Sequence, residues 1–158
     1  MKPPDLSAAD ISEARARVFG RAEVWWVRLV KQYGLGVKVE SIDKVLNLGN
    51  ELFGRHMCVV LQLNSQEAVG IVVAPITSAY DRNNQLRKKL SSWIELHKGD
   101  GGVLHKSYVA CEQIRYVDKG RVLGYVGKVS PERMERIEDA LRMLLFSNPH
   151  RSQADSGT

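Results

Sequence analysis

Two apolar runs, Met57 to Leu63 and Val69 to Pro75, flank a polar five-residue stretch, Asn64 to Ala68. That spacing predicts a β-hairpin. Centring it on Gln66 pairs Leu63 with Val69, Leu61 with Ile71, Val59 with Val73 and Met57 with Pro75, so every opposed pair is apolar. Because strand side chains alternate, the same face then carries Arg55 opposite Thr77, one step beyond the apolar set. Opposed Cβ atoms lie about 4.5–5.5 Å apart, which sets a guanidinium beside a hydroxyl where a buried face opens to solvent. Such a pair suits an anionic phosphate, with the guanidinium as a two-pronged donor. The plainer reading is an arginine that solvates the strand end.

The remaining pattern adds short strands and one strong helix. Ser7 to Arg17 is rich in helix formers, with Asp10 and Glu13 placed to favour the helix dipole. It reads as an amphipathic arm, either a lid on the domain or an extension with little order. Arg21 to Leu29 is β-branched and aromatic and reads as a first strand, on which Trp25 and Trp26 must point to opposite faces. One should anchor the core, and the other either stacks a base or serves an interface. Between Val30 and Phe53, four glycines (Gly34, Gly36, Gly49 and Gly54 just beyond) punctuate a long segment in which Ser41 to Leu48 could form two helical turns. Ser92 to Leu96, Ser107 to Cys111 and Val122 to Val129 read as further strands. Gly99-Asp100-Gly101-Gly102 reads as a flexible hairpin tip, since it lacks the Lys-Ser/Thr of a P-loop and opens no helix. Ser130-Pro131-Glu132 begins a helix with a cap, a proline at the first helical position and an acid in the first turn. Along that helix Met134, Ile137, Leu141, Leu144 and Leu145 form one apolar stripe that should pack on the sheet or on a partner subunit.

These elements predict an α+β chain, mainly β: a small, mostly antiparallel barrel closed by a C-terminal helix. The expected organisation is an N-terminal helical arm over 1–19, a barrel domain over 20–146 with an insertion at 30–53, and a polar, disordered tail over 147–158. Lys and Arg number 23 against 18 Asp and Glu, a formal charge of +5 that favours a polyanionic or acidic partner. Arg82, Arg87, Lys88 and Lys89 cluster just past the hairpin, where a phosphate site would have them draw in a nucleic-acid backbone. The two cysteines, Cys58 and Cys111, have no metal-ligand or CxxC spacing and read as reduced, core-packed thiols. The N-terminal residues lack the order of a signal peptide, and no apolar run approaches the ~20 residues that cross a bilayer, so the expected location is cytoplasmic.

Several segments taken together resemble the PemK/MazF family of toxin endoribonucleases from bacterial toxin-antitoxin systems. They are the first strand with its start, GRAEVWW over 20–26, the hairpin pieces GRHMCVVLQLN and VVAPITS, and EQIRYVDKGRV followed by GKVSPERMERIEDALR. They fall in family order and cover most of residues 20 to 146. The resemblance implies an SH3-like barrel (PemK/MazF-like, CcdB-like) with a C-terminal helix. It implies a homodimer that binds single-stranded RNA in a groove at the subunit interface and cuts it at short motifs without metal or other cofactor. It also implies a cognate antitoxin that blocks the groove with an acidic segment. Arg55 matches the family's strand-two arginine and Thr77 the threonine or serine of its P-[LIV]-T-S motif, the residues assigned to catalysis.

This sequence departs from the family in three places. His56 stands where the family has proline. The segment from Val30 to Phe53 is longer than the family's first loop and has no glycine-histidine-glutamate step. Ala110 and Glu112 stand where some members have a catalytic arginine and aspartate. The implied chemistry uses the RNA's own 2′-hydroxyl as nucleophile, with a base, an acid and positive charge on the phosphorane. Arg55 would supply the charge, Thr77 would orient the 2′-hydroxyl or the phosphate, and Glu112 is the nearby carboxylate able to act as base. Expected RNA contacts are Trp25, His56, Ser78, Arg82, Arg87, Lys88, Gln113 and Arg115. His56, one residue from Arg55, should face the other way. The alternative class is a non-catalytic nucleic-acid-binding barrel, or a gyrase-type toxin built on the same barrel.

Overall fold

A computed structural model describes residues 12–13, 15–29, 52, 54–63 and 68–146. The expectations for the 41–48 helix, the hairpin loop at 64–67 and the 147–158 tail lie outside the described residues. Strands β1 (Glu23–Leu29), β2 (Gly54–Val60), β3 (Gly70–Ser78), β4 (Trp93–Leu96), β5 (Ser107–Ala110), β6 (Arg115–Asp118) and β7 (Val122–Lys128) precede one helix, α1 (Pro131–Phe146). All pairings are antiparallel. The hydrogen-bonded order is β4-β5-β3-β2-β1-β7, with β6 lying against β3 off this path.

The organising strand is β3, which exchanges partners along its length. One edge meets β2; the other meets β6 over Gly70 to Val73 and then β5 over Ile76 to Ser78. Both faces of this region are buried. Val59, Ala74 and Ile76 join the core under α1, with Val24, Leu96, Val109, Met134 and Ile137. Their neighbours Cys58, Val60 and Val73 join a second core with Phe19, Val27, Leu29 and Val122. Burial on both faces explains why the hairpin strands read as continuous apolar runs instead of alternating ones. Each fully buried aliphatic side chain contributes about 1.5–3 kcal/mol. Cys58 and Cys111 are free and buried, and burial pushes both thiols up to about 12.

The hairpin register differs from expectation by one residue. Cys58 opposes Pro75, Val59 opposes Ala74 and Val60 opposes Val73. Leu61 N donates to Val72 O at 3.0 Å, and the Gln62 side chain accepts from Val72 N at 3.2 Å. Alternation from the Leu61–Val72 bond makes Cys58/Pro75 a non-hydrogen-bonded pair, so the Pro75 nitrogen faces the far edge of β3. There β6 has ended at Val73 and β5 has yet to begin at Ile76. A residue without an N–H thus occupies the one place that asks for none.

Two further expectations are corrected. The sheet does not close into a barrel: it ends at β4 and β7, and no ladder joins them. Gly99 to Gly102 is no flexible tip, because residues Asp100–Gly102 form a 3-10 turn with Gly101 buried in that opening. Gly101 has φ +60, and a Cβ there would lie 2.9 Å from both Val24 and Val129 side-chain carbons. Only glycine permits that approach. Of the stripe expected on α1, Met134 and Ile137 are in the core and Leu141 packs against it partly buried, while Leu144 and Leu145 are exposed. Strand β6, short and followed directly by a 3-10 turn, had not been anticipated.

The described part of the N-terminal arm is docked. Phe19 is 1% exposed and meets Trp25 edge-on at 5.0 Å between ring centroids. Arg15 grips Asp118 at the end of β6 through two hydrogen bonds of 3.1 and 2.7 Å. No helix among the described residues is long and apolar enough to cross a membrane.

Candidate active site

The polar end of β3 is built around Thr77. It is 7% exposed and directly opposes Tyr108 on β5. Past it the chain makes a tight return: Arg87 N donates to Ala79 O at 2.8 Å, and Tyr80 pairs with Leu86. Asp81 Oδ1 accepts from the backbone of Asn83 and Gln85, both at 2.9 Å, and Ser78 Oγ accepts from Tyr80 N at 3.1 Å. These local bonds are the usual work of Ser and Asp in turns. Their result is positional, since they bring the Arg87 guanidinium to 3.5 Å from Thr77 Oγ1. That distance is long for an N–H···O bond, so the hydroxyl is touched by a cation without being tied up. Arg82, Lys88 and Lys89 on the same return are exposed.

The one-residue register shift redistributes the expected constellation, because a slip of one sends every side chain to the other face. Arg55 falls with Met57 on the α1 side, and His56 falls with Cys58 on the side of Pro75 and Thr77. The expected opposition of Arg55 and Thr77 is therefore replaced. Continued past the last paired residues, the register brings His56 opposite Thr77. The β2–β3 ladder stops at Cys58/Pro75, and beyond it the His56 ring takes over the bonding, with Nδ1 3.3 Å from Ile76 O. A carbonyl only accepts, so Nδ1 is the donor in this contact, and in the neutral ring Nε2 is the acceptor.

Arg55 opposes Arg28 on β1. On the same face Trp26 lies between Met57 and Gly124 and is 40% exposed. A Cβ on Gly124 would meet nothing within 4 Å, so open space adjoins the indole. Trp25 is the anchoring member of the pair. It packs on Phe19 and on Tyr125, the latter at 5.2 Å between centroids, and its Nε1 donates to Glu23 at 2.9 Å.

Glu112 lies in a 3-10 turn after β5. Its carboxylate accepts from Ser92 Oγ at 3.0 Å and Trp93 Nε1 at 2.7 Å. Trp93 in turn packs against Tyr108 at 5.3 Å, so the route from Glu112 to Thr77 runs through two aromatic rings. Gln113 Oε1 accepts from Leu52 N at 2.8 Å. Arg115 lies on β6 opposite Val73, and its Nε donates to Gln113 O at 3.4 Å. Among the described residues no cluster of three or more His, Cys, Asp or Glu is placed to hold a metal ion.

Residues 20–145 match the family model described as PemK-like, MazF-like toxin of type II toxin-antitoxin system. Among solved structures, MazF from Deinococcus radiodurans superposes with a TM-score of 0.59 at 17% identity, over 82% of this chain and 97% of that one. An endoribonuclease in complex with its cognate antitoxin, from a mycobacterial species, gives 0.55 at 19% identity over 82% and 98%. A MazE–MazF complex from Deinococcus radiodurans gives 0.55 at 15% over 84% and 99%. At these identities the likeness is one of fold. No curated protein matches the chain by sequence.

Proposed function

The chain belongs to the PemK-like, MazF-like toxins of type II toxin-antitoxin systems, and on that premise we propose that it is an endoribonuclease. Its substrate is single-stranded mRNA, cut at short motifs without a metal ion to leave a 2′,3′-cyclic phosphate and a 5′-hydroxyl. Translation and growth then stop. The observation that carries this reading is the Thr77 hydroxyl, buried at the strand end with the Arg87 guanidinium against it. Solved structures of the same fold are an endoribonuclease and MazF, two of them together with an antitoxin.

In this reading Thr77 orients the scissile phosphate or the 2′-hydroxyl, and Arg87 beside it supplies charge to the phosphorane. A guanidinium loses its proton only above pH ~12, so charge is its contribution. Trp26, with open space beside it, takes the stacking role expected of one of the two tryptophans. Glu112, already accepting from Ser92 and Trp93, holds the aromatic wall behind Tyr108. The exposed end of α1, Met143 to Phe146, supports a two-fold dimer. The basic return after β3 supports an acidic antitoxin segment that competes with RNA.

Purified protein incubated with mixed single-stranded transcripts and EDTA is expected to cut them, and end-labelling is expected to find cyclic phosphates and 5′-hydroxyls. Cutting that stops with chelator and returns with magnesium overturns the mechanism. In the same preparation sedimentation should count two subunits, and a monomer overturns the assembly.

A further inference from the structure

We infer that His56 is the general base of the cleavage reaction, its Nε2 taking the proton of the RNA 2′-hydroxyl opposite Thr77. The inference deepens the endoribonuclease reading and rests on it.

Four observations place His56 in that role. The observed register sends His56, not Arg55, to the face shared by Cys58, Pro75 and Thr77. The ladder stops two residues short of it, so the ring stands where β2 and β3 part and the site opens. In the contact of Nδ1 with Ile76 O at 3.3 Å the carbonyl can only accept, so the neutral ring that makes it has Nε2 as its acceptor. Ile76 is also the residue before Thr77, so the imidazole and the hydroxyl are held by the same stretch of backbone. Two cations belong to this side of the sheet, Arg87 at Thr77 and Arg115 on β6 opposite Val73. They leave the carrying of a proton to the imidazole and offer charge to the phosphate. The other titratable candidate, Glu112, is engaged with Ser92 and Trp93.

The step balances as follows in atoms. Nε2 removes the 2′-hydroxyl proton while the 2′-oxygen bonds to phosphorus and the P–O5′ bond breaks. A solvent water protonates the departing 5′-oxygen, and the resulting hydroxide takes the proton back from the imidazolium. The net products are the cyclic phosphate and the 5′-hydroxyl, with His56 regenerated.

The test uses the full-length chain and a transcript in which wild-type protein has a mapped cut. His56→Gln keeps an N–H donor for the Ile76 carbonyl and removes the base; His56→Ala opens space for a free imidazole. Both are expected to lose about 10²–10⁴-fold in kcat with KM changed only a few-fold, and added imidazole should restore at least tenfold of the His56→Ala loss. Melting temperature separates misfolding from lost chemistry, and a folded His56→Gln suffices if His56→Ala does not fold. Wild-type turnover in His56→Gln, or a folded His56→Ala that imidazole does not revive, overturns the inference while the nuclease reading stands. A wild-type protein that cuts no transcript overturns both.

Discussion

The two halves of β3 meet the same problem, a strand edge to be covered, in opposite ways. Over Gly70 to Val73 the partner is β6, and every device there is closure. Tyr116 lies over Gly70 so tightly that a Cβ would come 2.3 Å from its ring. Asp118 opposes Gly70, caps the following turn through Gly120 N at 2.7 Å and accepts Arg15 from the arm. Over Ile76 to Ser78 the partner is β5, and the polar groups are held near one another without being used up. Thr77 has a long contact to Arg87, and His56 meets the Ile76 carbonyl through Nδ1 at 3.3 Å. The first half spends its polar chemistry on the fold; the second keeps it for a ligand.

That contrast breaks most sharply at Thr77. Thr77→Val keeps the shape and removes the hydroxyl, so cleavage is expected to fall about 10²–10³-fold, whereas stability should fall by only about 1 kcal/mol. Kinetics on a mapped transcript beside a thermal melt measures both, and an unchanged rate removes Thr77 from the site. Gly70→Ala should behave inversely. The added methyl meets Tyr116 and the Val117 carbonyl, an overpacking that costs about 1–3 kcal/mol, or a Tm lower by about 2–12 °C for a domain this size. Cleavage below the melt should be unaltered. A loss of rate without loss of stability would erase the distinction between the halves.

The smallest effect concerns the arm. Hydrogen bonds from Arg15, chiefly, hold the Asp118 carboxyl below its ordinary range. A carboxyl whose folded pKa is depressed stabilises above its unfolded pKa, and that contribution fades as pH falls through the folded value. Arg15→Ala should therefore melt below wild type at pH 7, and the gap should close as pH is lowered beneath the carboxylate range. Arg15 is half exposed, so screening keeps the gap small. A gap constant from pH 7 to pH 3 would show that the arm is held by Phe19 alone.

Much of this architecture was legible because its causes are local. The Ser130-Pro131-Glu132 start of α1 is cap chemistry, and the helix begins at Pro131. The hairpin follows from two apolar runs around a polar break, and β1 from its β-branched and aromatic content. Five short segments in order were enough for the family. Strand β6 was hidden because four residues, Arg115 to Asp118, carry too little periodicity to stand out from the 3-10 turns around them.

What tertiary structure alone decided is which side chains meet. Alternation sets register only when one face is polar; here both faces of β2 and β3 are buried, so a shift of one residue leaves the pattern equally apolar. The shift was settled by Pro75, whose missing N–H fits only where β6 gives way to β5, and by Gln62 closing on Val72. From that single residue follows His56, in place of Arg55, on the face of Thr77, while the pairing of β1 with β2 sets Arg55 opposite Arg28. Sequence periodicity counts residues along one strand, whereas these neighbours depend on how three strands share the edges of a fourth.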